Sequence, residues 1–260
     1  MMVIKEMIKL PSLSGDKGRS VYYYLPVGYE SGNKSYPVLY MFDGHNVFFN
    51  SDATYGKCWG MKEYMDRTAA GMIIVAVECN HEGTERLSEY SPWPFLARGM
   101  GHIKPKGEAY MDWLIQVLKP AVDRRFRTMP QREFTYICGS SMGGLMSLFA
   151  LCRYNHIFSR AVALSPSLWV APAKMTQLIR DTQFFPDTRV YMDYGSEEMK
   201  NHSKILEALK RSTGAFLDKQ VNVCMRIVPG GQHCEACWER QIPVFMRCLE
   251  LENEGDKNEY

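Results

Sequence analysis

Ser141 sits in Gly139-Ser140-Ser141-Met142-Gly143, a serine with a glycine two residues away on either side. Glycines at those positions relieve backbone crowding, so the chain can turn sharply enough to present the Ser141 hydroxyl as a nucleophile. A serine hydroxyl attacks poorly at neutral pH unless a base takes its proton, and that base is usually a histidine steadied by a carboxylate. Of six histidines, His233 has the most suitable setting, in the turn Pro229-Gly-Gly-Gln-His233. His45, in Asp43-Gly-His-Asn46, is its main competitor; His81, His102, His156 and His202 have no comparable surroundings. The carboxylate belongs between serine and histidine in the chain, in Asp193-Tyr-Gly-Ser-Glu-Glu198. Glu198 is the first choice there, with Asp193 and Glu197 as rivals. Acyl transfer also needs two backbone N–H groups aimed at the developing oxyanion. Met142, directly after the nucleophile, supplies one, and the Gly44, His45, Asn46 turn is positioned for the other.

These side chains need a scaffold that brings distant segments together. Phe134–Cys138 before the serine is β-branched and aromatic, while Leu145, Met146, Leu148, Phe149 and Leu151 after it recur at helical spacing. This strand, turn and helix context matters, because a bare G-x-S-x-G match arises by chance in roughly one chain in ten of this length. Further strand-like runs fall at Arg19–Leu25, Tyr36–Phe42, Met72–Val77, Arg160–Leu164, Arg189–Tyr194 and Val221–Val228. Met1–Leu10 reads as a first strand, forming an antiparallel hairpin with the next at the sheet edge. Helical patterns cover 107–125, 200–216 and 234–251. Strands alternating with helices predict an α/β fold with a mostly parallel sheet of about eight strands, helices on both faces and ligands at the carboxyl ends of the strands. The order Ser, acid, His is that of α/β-hydrolases.

Bulk properties narrow the choice. A chain of 260 residues with 46% hydrophobic content suits one domain spanning 1–260, its polar residues 252–260 forming a flexible tail. The net charge of +2 comes from 31 basic and 29 acidic residues spread along the chain, without the basic stripe that nucleic acid or a lipid surface demands. A small-molecule partner is expected; homo-oligomerisation leaves no signature in this sequence. The eight cysteines are scattered, as buried thiols would be in a chain too large to need disulfide staples. Lys5, Glu6 and Lys9 interrupt any signal-peptide core, so the cytoplasm is the expected compartment. Cys234-Glu-Ala-Cys237 lacks a second ligand pair and is read as incidental rather than metal-binding. No metal and no cofactor is expected.

Several landmarks together resemble the Putative esterase family of α/β-hydrolases, which includes feruloyl and acetylxylan esterases, enterochelin esterases and S-formylglutathione hydrolases. They are Met41-Phe-Asp-Gly-His-Asn46, Arg86-Leu-Ser-Glu-Tyr-Ser-Pro92, Leu118-Lys-Pro120 with Arg127-Thr128, Gly139-Ser-Ser-Met-Gly-Gly144, Ser165-Pro-Ser-Leu-Trp169, Tyr194-Gly-Ser-Glu-Glu198 and Gly230-Gly-Gln-His233 with Trp238. The resemblance implies Ser141 as nucleophile, His233 as base and Glu198 as acid in a serine carboxylic-ester hydrolase that works through an acyl-enzyme. It departs from the family in having His45 where relatives carry Gln, and Ser196 where many carry Thr. Arg86, Tyr90, Trp93, Trp169 and Trp238 are candidates to line the pocket. The implied substrate is a small acyl or aryl ester, carbohydrate-linked esters included. An acyltransferase with the same triad and a catalytically silent binding protein are the alternatives on this fold.

Overall fold

A computed structural model describes residues 2–15, 17–198 and 202–249. Its strands are β1 (Met2–Lys9), β2 (Gly18–Leu25), β3 (Val38–Met41), β4 (Ile73–Val77), β5 (Phe95–Ala97), β6 (Gly101–Ile103), β7 (Thr135–Ser140), β8 (Arg160–Leu164), β9 (Arg189–Gly195) and β10 (Asn222–Val228). Eight of them form one sheet in the order β1-β2-β4-β3-β7-β8-β9-β10. From β4 onward all neighbours run parallel, and β1 and β2 add the antiparallel edge that the sequence predicts.

Burial on both faces explains why the inner strands are continuous apolar runs. Every residue of β3, β4, β7 and β8 is buried. Along β4, Ile73, Val75 and Val77 join one core while Ile74 and Ala76 join the other, the alternation a pleated strand imposes. The first core is completed by helices Met142–Arg153, Pro172–Asp181 and His202–Asp218. The second is completed by Met61–Thr68 and Ile242–Leu249. At the rim, β1 alternates exposed and half-buried residues and carries Lys5 and Glu6, which discourages further strand pairing.

Two predicted helices are subdivided. The 107–125 segment runs as Gly107–Trp113, a π-helical stretch Leu114–Leu118 and Lys119–Arg125. Pro120 has no N–H to give to the preceding turn, and the wider π turn lies directly before it. The 234–251 segment breaks into Glu235–Glu239 and Ile242–Leu249, with Pro243 in the first turn of the second piece, where proline is tolerated. Residues 199–201, in which the predicted 200–216 helix begins, and 250–260, with the predicted tail, lie outside the described residues. The β5–β6 hairpin is an addition to the predicted strands. Its turn depends on Gly99 (φ 77°) and Gly101 (φ 83°), a conformation open to glycine. Among the described residues no helix is long and apolar enough to cross a membrane.

The strand order reverses at β3: the chain passes from β3 to β4 on one side, then returns to β7 on the other. In open α/β sheets this switch point, at the carboxyl ends of the strands, is where ligands bind. Residues 43–46 follow β3 and Ser141 follows β7, so two of the predicted site segments meet there.

Candidate active site

Ser141 adopts φ 56° and ψ −119°, a conformation costly for a residue with a side chain. The flanking glycines make it possible. A Cβ on Gly139 would lie 2.6 Å from the Gly143 carbonyl carbon, and one on Gly143 would lie 2.9 Å from Cβ of Phe42. The Ser141 N–H is held by the Leu164 carbonyl at 2.9 Å. Met142 opens the buried helix Met142–Arg153, so its N–H has no intrahelical acceptor. The Ser141 hydroxyl lies 3.4 Å from that of Ser167.

On the same cavity, His233 Nδ1 is 2.9 Å from Oε2 of Glu198, whose side chain is 1% exposed. The other oxygen, Oε1, accepts the Gly195 N–H at 2.7 Å and the Ser165 hydroxyl. Ser165 Oγ also accepts the Trp238 indole N–H at 3.0 Å, and the Trp238 ring stands edge-on to His233 with centroids 5.1 Å apart. The loops bearing acid and base are locked together. A Cβ on Gly195 would meet the Gly231 carbonyl oxygen at 2.3 Å, and the Glu197 N–H donates to that same oxygen at 2.9 Å.

The rival acids point elsewhere. Asp193 is buried at the end of β9, accepting the Tyr191 hydroxyl at 2.9 Å and the Ser165 N–H at 3.1 Å. Burial pushes its carboxyl up to about 7. Glu197 is exposed. Glu198 is therefore the carboxylate that touches His233. His45 is buried in the cavity lining, with Nε2 3.0 Å from the Thr54 hydroxyl. His102 and His156 are exposed on other parts of the surface, and the side chain of His202 lies outside the described residues.

The turn after β3 begins at Asp43 in the left-handed region (φ 55°) and continues as the 3₁₀ segment Gly44–Asn46. Gly44 is required there, since a Cβ would lie 2.5 Å from the Ala76 carbonyl oxygen. The Asn46 N–H is engaged by the Asp43 carbonyl at 2.8 Å, and the Asp43 N–H by the Tyr90 hydroxyl at 3.1 Å. Of the three predicted residues in this turn, Asn46 is thus unsuited to donate to an oxyanion. His45 lines the cavity, whereas Gly44 does not. Asp43 and Arg86 form a bidentate ion pair with both contacts at 2.7 Å. Burial would raise the Asp43 carboxyl, but the Arg86 guanidinium more than offsets it and holds the group below the usual carboxylate range.

These segments enclose a cavity of about 560 Å³ whose lining includes Ser141, His233, Arg86 and Trp238. Three predicted pocket residues lie outside that lining. Tyr90 is fully buried beneath the Asp43 turn and supports it. Trp93 packs edge-on against Phe149 and Trp169 edge-on against Phe95. Aromatic side chains in loops carry a large apolar area, and these two place part of it against neighbouring rings, Trp169 staying 44% exposed.

The structure adds Lys57, Cys79, His81 and Glu235 to the lining, residues the sequence reading left unassigned. Cys79 and His81 follow β4, which is the signal that could have found them, since loops at the carboxyl ends of strands build such sites. Glu235 lies two residues beyond His233. Burial, reinforced by the nearby Asp43 charge, pushes its carboxyl up, and Asn46 Nδ2 lies 3.4 Å from it.

Comparison with known proteins identifies the family and the fold. Residues 12–247 match the model of the esterase family described as "Putative esterase". The chain is similar to YbbA of Bacillus subtilis (strain 168), described as uncharacterized, at 26% identity over 87% of this chain and 89% of that one. It is also similar to the siderophore triacetylfusarinine C esterase of Aspergillus fumigatus, at 28% identity over 54% of this chain and 47% of the relative. Among solved structures, the IroE-like serine hydrolase from Shewanella oneidensis superposes with a TM-score of 0.74 at 17% identity, over 95% of this chain and 78% of that one. The mostly parallel eight-stranded sheet is thus shared with known hydrolases, and the match over nearly the whole chain is decisive: this protein is an enzyme of the Putative esterase family and acts as an esterase.

Proposed function

We propose that the protein hydrolyses carboxylic esters through an acyl-enzyme on Ser141, with His233 as general base and Glu198 as the acid that orients it. The observation that carries this reading is the pairing of a strained Ser141 with a Glu198-held His233 on one cavity. Glu198 accepts a hydrogen bond from Nδ1–H, which keeps Nε2 unprotonated and able to receive the Ser141 proton. Ser141 Oγ then bonds to the ester carbonyl carbon, whose oxygen takes up the negative charge. The Met142 and His45 N–H groups are the donors for that oxyanion, each contributing roughly 3 to 4 kcal/mol to the transition state. His233 returns its proton to the leaving alcohol, and a water activated by the same imidazole releases the acid. The hydroxyl's present partner, Ser167, is consistent with this role, because catalytic hydrogen bonds often tighten only once substrate is in place.

A small acyl or aryl ester suits a cavity of about 560 Å³ in which Arg86 is already neutralised by Asp43. Siderophore esters join that class on the strength of the similarity to the Aspergillus fumigatus esterase. Eight free thiols suit a reducing compartment, which supports the cytoplasm as the place of action. The test is Ser141→Ala: hydrolysis of p-nitrophenyl acetate should fall by at least about a thousandfold, and retention of the wild-type rate would sink the mechanism.

A further inference from the structure

We propose that His45, Cys79 and His81 form a binding site for a thiophilic divalent cation, Zn²⁺ foremost, on the wall of the active-site cavity. Each residue offers a donor atom, and the three donors lie within 4.8 Å of one another. This is the one such cluster of three or more donors among the described residues. Two imidazoles and one thiol make a soft N/N/S set, which favours Zn²⁺ over Mg²⁺ or Ca²⁺.

The hydrogen bonding around the two rings is what a metal site requires. Zinc-bound histidines have their outer nitrogen fixed by a hydrogen bond, so that the inner one is aimed at the metal. Here His81 Nε2 is 3.1 Å from the Glu78 carboxylate, while its Nδ1 faces Cys79 Sγ at 3.9 Å. His45 Nε2 is 3.0 Å from the Thr54 hydroxyl, while its Nδ1 is fully buried without a hydrogen-bond partner. A buried polar atom left in that state is costly unless something occupies it. The rings stand edge-on at 76° with centroids 4.6 Å apart, so both can reach a common point.

Metal–ligand bonds of about 2.0 to 2.3 Å in a tetrahedron put donors roughly 3.5 Å apart. The cluster must therefore close by about 1 Å, a movement within reach of His81, whose side chain is 52% exposed. Binding breaks the Cys79 S–H bond and forms an S–Zn bond; the proton leaves to solvent and no electron is transferred. Three protein ligands leave a fourth position for water or a substrate oxygen. It opens on the cavity that Ser141 and His233 share. Cys234 also lines this cavity, but it and Cys237 make a poorer candidate, because Cys237 Sγ already accepts the Gln232 N–H at 3.2 Å and an Arg240 N–H at 2.9 Å.

Co²⁺ added to the full-length protein under reducing conditions tests the proposal by absorption, without reference to esterase activity. The expected result is one equivalent bound per chain, with the intense visible bands of a tetrahedral ion and a thiolate-to-cobalt charge-transfer band. Cys79→Ser should abolish that band. His81→Ala, at a largely exposed position where folding is not at stake, should weaken binding by at least about tenfold. Cys234→Ser should leave the spectrum unchanged. Failure to bind at equimolar Co²⁺, a weak octahedral spectrum, or wild-type binding by His81→Ala would each overturn it, as would loss of the spectrum in Cys234→Ser.

Discussion

Replacing Glu198 with Gln should abolish most of the activity while leaving the fold intact, and the structure says why. In the native protein Oε1 receives two donors, the Gly195 N–H at 2.7 Å and the Ser165 hydroxyl, while Oε2 faces His233 Nδ1 at 2.9 Å. A glutamine has one oxygen and one NH₂ to offer. The backbone N–H of Gly195 cannot become an acceptor, so the amide oxygen must take the Oε1 position and the NH₂ must face His233. Nδ1 then has to accept, which shifts the ring proton to Nε2 and leaves that nitrogen unable to take the proton from Ser141. A wrong tautomer of this kind costs roughly 10⁴ in kcat, or about 5.5 kcal/mol. Both hydrogen bonds to Oε1 survive, so thermal unfolding should shift by only a few degrees. Steady-state kinetics on p-nitrophenyl acetate, with unfolding followed by circular dichroism, reads both quantities. A variant within tenfold of wild type would refute the assignment of Glu198 as the orienting acid.

Two further perturbations probe the surroundings. Burial raises the Asp193 carboxyl from its ordinary 3.8 to about 7, so between those values the folded state holds a proton that the unfolded state has lost. This contribution to stability falls as pH rises through that window and is constant on either side. Asp193→Asn should remove that slope, on the order of a few kcal/mol across the window, and urea unfolding at pH 5 and pH 8 should show a smaller difference than in wild type; an unchanged difference would contradict the assignment. At the elbow, Gly139→Ala places a methyl group 2.6 Å from the Gly143 carbonyl carbon. The strain should lower stability by at least about 1 to 3 kcal/mol and displace Ser141, so a wild-type Tm together with a wild-type kcat would mean that the tight turn is not needed.

The sheet could be read from the sequence because its inner strands are buried on both faces and must be continuous apolar runs, as Ile73-Ile-Val-Ala-Val77 shows. The elbow could be read because sterics allow little else than glycine at 139 and 143. The acid was harder. Asp193, Glu197 and Glu198 share one strand end, and which of them reaches His233 depends on how the loop turns after Gly195, where a close approach to Gly231 decides the matter. Loop aromatics misled for a related reason, since the type of Trp93 or Trp169 does not reveal which neighbouring ring it covers. The cluster of His45, Cys79 and His81 draws on loops after two different strands, more than thirty residues apart in the chain. Only the placement of β3 beside β4 brings them together.

The central claim, that Ser141 forms the covalent acyl intermediate, is tested most directly by labelling with a fluorophosphonate and reading the intact mass and the modified peptide. One adduct per chain on Ser141, concurrent loss of esterase activity, and no adduct in Ser141→Ala is the predicted result. Full inactivation with the adduct on another residue, or an unlabelled Ser141 in an enzyme that still hydrolyses esters, would contradict it.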